Sequence, residues 1–265
     1  MSSHTLSAGI AGIGFWTRGL PSWEAACAYV ADGTLPQDPP PKPSPQLLAP
    51  NERRRAPETV AVALEVALAA CTAAGRDPAT LSSVFASTHG DLSITDYMCE
   101  TLASEPRTIS PTRFHNSVHN AAAGYWTIGA SAMAPATAIS AYDASFAQGL
   151  LEALAQLATG TDAVLLVGYD SSAKGPLAQV SRSEGLLGGA LLLVARPQTG
   201  MPQLRAQLQA TGPGESPPLG KLAHLAAGNA MLPMLPLFEA LAIRAHAADL
   251  LAGPGTTLRM EIAYD

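Results

Sequence analysis

The sequence contains little charge and no long run of positive charge. Only 14% of its 265 residues are charged, whereas 48% are hydrophobic, and the formal net charge is -6. The longest basic run, Arg53–Arg55, is typical of a solvated helix start rather than of a nucleic-acid-binding surface. We therefore expect no nucleic-acid partner. Much of the surface must also be weakly charged or covered by a partner.

Cysteine is scarce as well. Cys27, Cys71 and Cys99 are widely spaced and form neither a CxxC pair nor a zinc-binding pattern. Cys27 and Cys71 lie in alanine-rich helical stretches, which predicts buried small hydrophobic side chains. An odd number of cysteines without a disulfide framework is typical of a reducing compartment. We expect no metal, no cofactor and a cytoplasmic location.

The sequence also lacks the patterns of membrane targeting. Its first residues, MSSHTLSAGIAG, do not combine a basic region with a following apolar one, so a signal peptide is not expected. The apolar run Ala121–Ser140 is interrupted by Gly124, Gly129 and Pro135, which disfavours a transmembrane helix. We therefore expect no membrane partner.

Apolar strands alternate with alanine-rich helices along the chain. The predicted strands are Leu6–Trp16, Leu81–Ser87, Ala136–Ala141, Ala163–Tyr169, Leu186–Arg196, Gln203–Ala210 and Thr257–Tyr264. The predicted helices are Ser22–Ala31, Glu58–Ala74, Ile94–Ala103, Asn116–Ala132, Ser145–Ala158 and Leu219–Ala248, the last interrupted near Pro233 and Pro236. This alternation predicts an α/β sheet covered by helices on both faces. The proline-rich segment Leu35–Pro50 lies too near the N-terminus to separate two domains, so residues 1–265 are predicted to form one domain.

The segment Ala138–Gly149, AISAYDASFAQG, carries the most specific chemical information. An apolar strand ends at Tyr142–Asp143 and continues directly into a helix, which places Asp143 where a helix N-terminus favours negative charge. We expect Asp143 to be the N-cap of a helix that begins at Ala144. A carboxylate that faces a partner is the alternative, and a catalytic acid or base is the least favoured role.

His115, Asn116, His119 and Asn120 form a second polar cluster. His115 and His119 are four residues apart, so they share one face if this segment is helical. Histidines at this spacing can bind zinc, but the glutamate of an HExxH motif and a third ligand are both missing. We expect histidines that form hydrogen bonds at a subunit interface.

Two other motifs do not fit the enzymes that they first suggest. GIAGIG at Gly9–Gly14 has the glycine spacing of a dinucleotide loop, but Phe15–Pro21 prevents the helix that must follow. A tight strand-to-turn junction is expected there instead. Four serines could suggest a serine hydrolase, namely Ser140, Ser145, Ser171 and Ser172. None of them lies in a GxSxG motif, which disfavours this class of enzyme.

Taken in chain order, these blocks resemble the N-terminal half of the β-ketoacyl synthases. The resemblance rests on four segments, GIGFWTRGLPSWEAACAYVADGT, RRRAPETVAVALEVALAACTAAGRDPATLSSVFAST, NSVHNAAAGYWTIGASAMAPATAISAYDASFAQGLLEALAQLATGTDAVLLVGYDS and LGGALLLVARP. It covers residues 6–197 and leaves 198–265 as a reduced C-terminal part. The resemblance implies an α/β fold that corresponds to one thiolase-like half of a ketosynthase. This half has a mixed five-stranded sheet covered by helices on both faces, and the chain is truncated relative to a full ketosynthase.

The chain departs from this family in two ways. Asp143 occupies the elbow position where the condensing members have a nucleophilic cysteine. The second half of a ketosynthase, which holds two catalytic histidines, is almost entirely missing. The segment KLAHLAAGNAMLPMLPLFEALA is faintly similar to the helix of one of them and would place His224 near that position. The shortened pattern is similar to the half-sized chain-length-factor-like subunits of aryl polyene synthases, which belong to the type II polyketide and fatty-acid-like systems.

The resemblance implies a non-catalytic subunit that forms a heterodimer with a full-length β-ketoacyl-ACP synthase. This subunit would shape the tunnel that holds a polyene or polyketide chain bound to an acyl carrier protein. The implied tunnel or interface residues, for which core packing is the other explanation, are His115, Asn116, His119, Met133, Tyr142, Asp143 and Phe146. One alternative is a stand-alone thioester hydrolase or malonyl decarboxylase that uses Asp143 with a histidine. Another is a scaffold that only stabilises its partner.

Overall fold

The computed structural model describes residues 5–210 and 219–264. The strands are β1 Leu6–Thr17, β2 Ser82–Ala86, β3 Ala136–Ile139, β4 Ala163–Asp170, β5 Leu187–Val194, β6 Gln203–Ala210, β7 Ala247–Gly253 and β8 Thr256–Ala263. The α-helices are α1 Trp23–Asp32, α2 Pro50–Arg55, α3 Glu58–Ala73, α4 Leu92–Ser104, α5 Pro111–Asn116, α6 Ala121–Gly129, α7 Ser145–Ala158, α8 Lys221–Leu225 and α9 Leu235–Ala242. Within these described ranges, no helix combines the length and the apolar character needed to span a bilayer.

The strands form one mixed sheet in the order β3-β2-β4-β5-β1-β6-β8-β7. The five strands expected for the thiolase-like half are therefore part of a larger, eight-stranded sheet. The first five in this order are the strands of the predicted half, with β3, β2 and β4 parallel and β5 antiparallel to both β4 and β1. The C-terminal part then adds β6, β8 and β7 to the β1 edge, each antiparallel to its neighbour.

Of these three strands only β7 is not predicted; it begins within the last two residues of the predicted helix Leu219–Ala248, which is much shorter in the structure. Only α8 and α9 form within it, and α9 ends at Ala242, two residues before Arg244 takes a left-handed conformation with φ 54°. The following residues, AADLLAG, bury alternate side chains, as a strand does. They pair with β8 through the tight turn at Pro254 and Gly255.

Helices cover both faces of the sheet, as the sequence predicts. On one face, α3 and α6 enclose an apolar cluster with the buried side chains of β2, β4 and β5. On the other face, α7 packs on β4 and β2, and α1 and α9 pack beside it over a second cluster. The buried strands β4 and β5 have no exposed residue, as expected for strands covered on both faces.

The glycines of GIAGIG allow a helix to approach the sheet. Gly12 and Gly14 lie within β1, and a Cβ at these positions would overlap the carbonyl oxygens of Ala70 and Val66 in α3. The expected strand-to-turn junction is therefore wrong, because β1 continues to Thr17. These glycines instead let the backbone of α3 rest directly on the strand.

The buried cysteine is poorly suited to nucleophilic chemistry. Cys71 lies within α3, and burial raises the pKa of its thiol to about 12. Because the thiolate is the reactive form, Cys71 behaves as a small apolar side chain at neutral pH. Cys27 is half-buried in α1, where burial also raises the pKa of the thiol.

Candidate functional site

The elbow between β3 and α7 is a tight turn that is held by a serine. Tyr142 adopts a left-handed conformation with φ 56°, which is unusual for a residue other than glycine. Ser145 Oγ accepts a hydrogen bond from the Ala141 amide at 2.9 Å and donates one to the Tyr142 carbonyl at 2.6 Å. The Ser145 side chain therefore provides hydrogen-bond partners for two backbone groups of this turn, one amide and one carbonyl.

Asp143 is not the helix cap that the sequence predicts. The helix begins at Ser145, its N-cap position is Ala144, and no side chain caps it. Asp143 is exposed, and no hydrogen bond joins its carboxylate to any residue in 5–210 or 219–264. The capping prediction is wrong because the left-handed turn at Tyr142 gives the stabilising role to Ser145. The carboxylate of Asp143 is left free at the surface of the elbow.

A buried carboxylate holds the loop that lies against the elbow. Asp170 ends β4 and is almost fully buried. Its Oδ1 accepts a hydrogen bond from Ser87 Oγ at 2.6 Å, and its Oδ2 accepts one from the Thr88 amide at 3.0 Å. Burial raises the pKa of Asp170 above its ordinary value, although these hydrogen bonds act in the opposite direction. Ser87 Oγ also accepts from the Gly90 amide at 2.8 Å, so one carboxylate fixes the whole turn after β2.

This network also joins the elbow to the C-terminal part of the chain. Ser140 Oγ donates to the Thr88 carbonyl at 2.9 Å, which ties the end of β3 to the loop after β2. Asn229 is buried, and its amide group donates to the carbonyls of Asp170 at 3.3 Å and Glu184 at 3.0 Å. The sequence analysis did not single out Asp170 or Asn229. The sequence does contain a signal for Asp170, because this charged residue directly follows the apolar strand residues VLLVGY and is therefore expected near the end of a buried strand.

The predicted histidine pair is not on one helix. Helix α5 ends at Asn116 and α6 begins at Ala121, so His115 lies on α5 while His119 lies in the connection. The single helix predicted over Asn116–Ala132 is therefore wrong, and so is the shared face that depended on it. Within the part of the chain that the structure describes, no three His, Cys, Asp or Glu side chains are grouped to hold a metal ion.

Each histidine near the elbow has its own contact. His119 Nε2 lies 2.9 Å from the Ser87 carbonyl, and because a carbonyl oxygen only accepts, this nitrogen is the donor. The ring of His89 packs edge-on against Tyr142 with 5.9 Å between centroids. The ring of His115 is exposed and packs against Tyr125 at 6.2 Å.

Asn116 is buried at the end of α5. Its Oδ1 has no hydrogen-bond partner within residues 5–210 and 219–264. A buried amide oxygen without a partner is energetically costly, by about 1–3 kcal/mol. Asn116 therefore differs from the two neighbouring histidines, whose rings make defined contacts.

Large apolar side chains are exposed around the elbow and the free edge of β3. Met133 is 95% exposed, Ile128 is 75% exposed, and Val118, Tyr142 and Val180 are more than half exposed. Tyr142 Oη donates to the Val180 carbonyl at 3.4 Å, which connects the elbow to the loop after β4. Strand β3 pairs only with β2, so its other edge has no strand partner among the described residues. We call β3 together with Val118, Ile128, Met133 and Tyr142 the partner face.

Phe146, in contrast, belongs to the core. It is 1% exposed, and its ring lies 5.9 Å from that of Phe238. A Cβ at Gly168 in β4 would come within 2.6 Å of the Phe146 ring, so this glycine makes room for it. Core packing therefore accounts for Phe146 in the isolated chain, and its predicted contact with a tunnel or a partner stays a prediction.

Two cavities open near these residues. A cavity of about 380 Å³ lies between α2, α5 and α6, and its walls include Arg55, His115, Val118, Tyr125 and Ile128. A shallower groove of about 630 Å³ runs along α7 between the end of β3 and the β7–β8 turn. The first cavity is continuous with the partner face, because Val118 and Ile128 belong to both.

The arrangement is similar to solved ketosynthase structures. A chain from the complex of the ketosynthase ApeO with its chain length factor ApeC from Xenorhabdus doucetiae matches with a TM-score of 0.75 at 23% identity, covering 97% of this chain and 99% of that one. A chain from AntDE:AntF, a type II PKS acyl-carrier protein in complex with its ketosynthase bound to the hexaketide, gives 0.74 at 12% identity, covering 99% and 100%. A β-ketoacyl synthase from Burkholderia phymatum gives 0.59 at 13% identity, and the match covers 91% of this chain but 71% of that one.

At these identities the likeness establishes the fold, which is the thiolase-like ketosynthase fold in a form truncated relative to full ketosynthases. No curated protein sequence matches the chain. The family model described as "Beta-ketoacyl synthase, N-terminal domain" matches residues 23–231, which is most of the sequence. This match and the strand order place the chain in the β-ketoacyl synthase family, as a member that carries the N-terminal domain.

Proposed function

We propose that the chain is a chain-length-factor-like subunit that forms a heterodimer with a full-length β-ketoacyl-ACP synthase. The observation that carries this proposal is the partner face, an unpaired strand edge surrounded by exposed Ile128, Met133 and Tyr142. Open strand edges and large exposed apolar patches are characteristic of interaction surfaces. The ketosynthase complexes among the similar structures support this kind of partner.

The residue at the elbow supports a subunit without condensing activity of its own. A condensing nucleophile must form a thioester that survives until the next extender unit arrives, and a cysteine thiolate does this well. An acylated Asp143 would be a mixed anhydride, which water hydrolyses readily. In our proposal the ketosynthase partner performs the condensation, and residues 1–265 form one accessory domain in the cytoplasm.

We further propose that the cavity between α2, α5 and α6 extends the acyl tunnel of the complex. Tyr125 and Ile128 on one side and Val118 on the other give it a largely apolar wall, which suits a polyene or polyketide chain delivered by an acyl carrier protein. His115 and Asn116 lie at the α5 side of this cavity or next to it, and His119 connects the region to the elbow. In the complex, these residues and Met133 would contact the partner or the growing chain.

The alternative of a stand-alone thioester hydrolase or malonyl decarboxylase gains no support from the geometry. Such an enzyme needs Asp143 to act with a histidine. Among the described residues, no hydrogen bond or ion pair joins the Asp143 carboxylate to any histidine. We therefore do not propose it.

Pairing is tested by co-expressing the chain with the full-length ketosynthase encoded with it, followed by size-exclusion chromatography with light scattering. We expect a one-to-one complex. A chain that stays monomeric in the presence of that ketosynthase would overturn the proposal.

The tunnel is tested by the substitution Gly124→Leu. Gly124 lines the cavity, and a Cβ at this position meets no atom within 4 Å, so a larger side chain fills the cavity without displacing the fold. We expect products with a shorter chain, measured by mass spectrometry. Ala69→Leu, which adds the same side chain to an exposed position of α3, is the control and should leave product length unchanged. Unchanged products from Gly124→Leu in an intact complex would instead indicate a scaffold that only stabilises its partner.

A further inference from the structure

Asp170 is the one charged side chain that is buried among residues 5–210 and 219–264. No basic side chain in these ranges forms an ion pair with it. Removing a carboxylate from water without a cation beside it is costly, and an apolar side chain of similar size often stabilises such a position equally well. The burial of this carboxylate therefore needs an explanation other than stability.

The carboxylate determines the shape of the turn that follows β2. An ionised carboxylate only accepts hydrogen bonds, and here its two oxygens accept from Ser87 Oγ at 2.6 Å and from the Thr88 amide at 3.0 Å. Ser87 Oγ in turn accepts from the amide of Gly90, which has a left-handed φ of 66°. One side chain from β4 thus orients three groups of this segment, directly or through Ser87. We call the segment Ser87–Gly90 the β2 turn.

The β2 turn contacts the partner face at the end of β3 and at the elbow. The Thr88 carbonyl accepts a hydrogen bond from Ser140 Oγ at 2.9 Å, directly after β3. The ring of His89 packs edge-on against Tyr142 with 5.9 Å between centroids. Both the strand end and the exposed tyrosine are therefore held by neighbouring residues of one turn.

A third contact leads to another part of the partner face. The Ser87 carbonyl accepts from His119 Nε2 at 2.9 Å, and the residue before His119 is Val118. The β2 turn thus contacts the end of β3, the elbow and the connection that carries Val118, which come from different parts of the chain. A surface whose parts are already aligned loses less entropy when it binds.

We propose that Asp170 is a positioning residue of the partner face. Its carboxylate holds the β2 turn, and the β2 turn aligns the three segments that the ketosynthase would bind. Asp170 is itself buried, so it acts on the partner only through this turn. This inference rests on the proposed function, because it concerns the affinity of the same heterodimer.

The test uses two variants that disturb the β2 turn and one control. Asp170→Asn keeps the shape of the side chain but replaces one acceptor oxygen by an amide nitrogen, which cannot accept from the β2 turn. Ser87→Ala removes both hydrogen bonds of the buried serine hydroxyl. Leu250→Ala is the control, because it removes buried packing in β7 at the other end of the sheet.

Titration of the fluorescently labelled chain with its ketosynthase gives the Kd, at a temperature at which circular dichroism shows that each variant is folded. We expect Asp170→Asn and Ser87→Ala to raise Kd about tenfold each. The double variant should raise Kd by much less than about a hundredfold, because both changes act on the same turn. Leu250→Ala should change Kd less than about twofold, although it also lowers stability.

Unchanged Kd values for folded Asp170→Asn and Ser87→Ala would overturn the proposal. An equal rise in Kd for Leu250→Ala would also overturn it, because the affinity would then follow the stability of the chain and not the β2 turn. If Asp170→Asn does not fold, Ser87→Ala alone decides between these results.

Hydrogen exchange of the isolated chain separates this inference from the proposed function. In Asp170→Asn we expect faster amide exchange in peptides that cover residues 87–90 and 139–143, and in Leu250→Ala we expect unchanged exchange there. If the wild-type chain does not pair, the proposed function fails, and this exchange pattern decides whether Asp170 positions the β2 turn and the elbow. Equal exchange of these peptides in the wild type and in Asp170→Asn would contradict that role.

Discussion

At the residue scale, the elbow assigns different roles to two neighbouring polar side chains. Ser145 Oγ bridges the Ala141 amide and the Tyr142 carbonyl and so stabilises a turn that contains a left-handed tyrosine. Asp143 makes no such contact and is exposed. The serine therefore has a structural role, and the aspartate is free for contact with a partner.

This difference predicts unequal effects of two alanine substitutions. Ser145→Ala leaves two backbone groups of the turn without partners and should lower the free energy of unfolding by about 1–2 kcal/mol. Asp143→Ala removes no hydrogen bond and should change it by less than about 0.5 kcal/mol. Urea unfolding of the isolated chain measures both values. A larger loss for Asp143→Ala would show that the aspartate caps the helix after all.

Single residues also show how far sequence reasoning reaches into the site. The elbow and its aspartate were visible because strand and helix patterns meet there without a loop. The role of Ser145 was not, because it depends on the φ angle of Tyr142, which the sequence does not specify. Asp170 was missed for a similar reason, since its partners Ser87 and Thr88 lie more than 80 residues away in the chain.

At the element scale, α3 and β1 approach each other closely. The helix buries ten of its sixteen residues, and its backbone rests on the strand at Gly12 and Gly14. Backbone atoms cannot move away as the end of a flexible side chain can. The fit of α3 on the sheet therefore depends on the absence of side chains at these two glycines.

Two glycine-to-alanine substitutions should consequently have opposite effects. Gly14→Ala places a methyl group against the Val66 carbonyl and should cost about 3 kcal/mol or more of stability. Gly124→Ala adds the same methyl group to α6 where space is open, and it should gain up to about 1 kcal/mol from helix propensity. Thermal unfolding compares the two variants. Equal stabilities would contradict the close contact between α3 and β1.

Elements with strong local patterns could be predicted, and those set by tertiary context could not. Helix α7 was predicted at Ser145–Ala158, the range that the structure has, because its apolar face and its boundaries are clear in the sequence. Strand β7 is not among the predicted strands, and the predicted helix Leu219–Ala248 covers its first two residues, because AADLLAG is short and follows a helical segment. Only pairing with β8 makes it a strand, and this pairing adds the eighth strand to the sheet.

At the scale of the whole molecule, the two ends of the sheet differ. The β7 end is also an edge strand, and α7 contacts it where Gln148 donates to the Ala252 carbonyl at 2.7 Å. The β3 end has an open edge beside exposed apolar side chains. The large exposed side chains Ile128 and Met133 beside β3 make this end suited to association, which agrees with the proposed role of the chain as half of a heterodimer.

A charge placed on this face should weaken the heterodimer without unfolding the chain. Ile128→Lys changes a side chain that is 75% exposed, so stability should change little, whereas burying an unpaired charge at the interface should raise the Kd for the ketosynthase about tenfold or more. Leu208→Lys, at an exposed position of β6, is the control. Analytical ultracentrifugation measures both. A heterodimer that tolerates Ile128→Lys would place the interface elsewhere.

The strand order also has a consequence in time. Strand β1 is made first, yet its sheet neighbours β5 and β6 follow about 170 and about 190 residues later, a delay of roughly ten seconds or more during synthesis. Strands β2, β3 and β4 all lie within residues 82–170, so the open β3 edge can form before β1 is enclosed. We therefore expect the ketosynthase to bind a nascent chain in which the β3 edge is already formed, while β1 is not yet paired with β5 and β6. Simultaneous synthesis of both subunits would then favour assembly over aggregation.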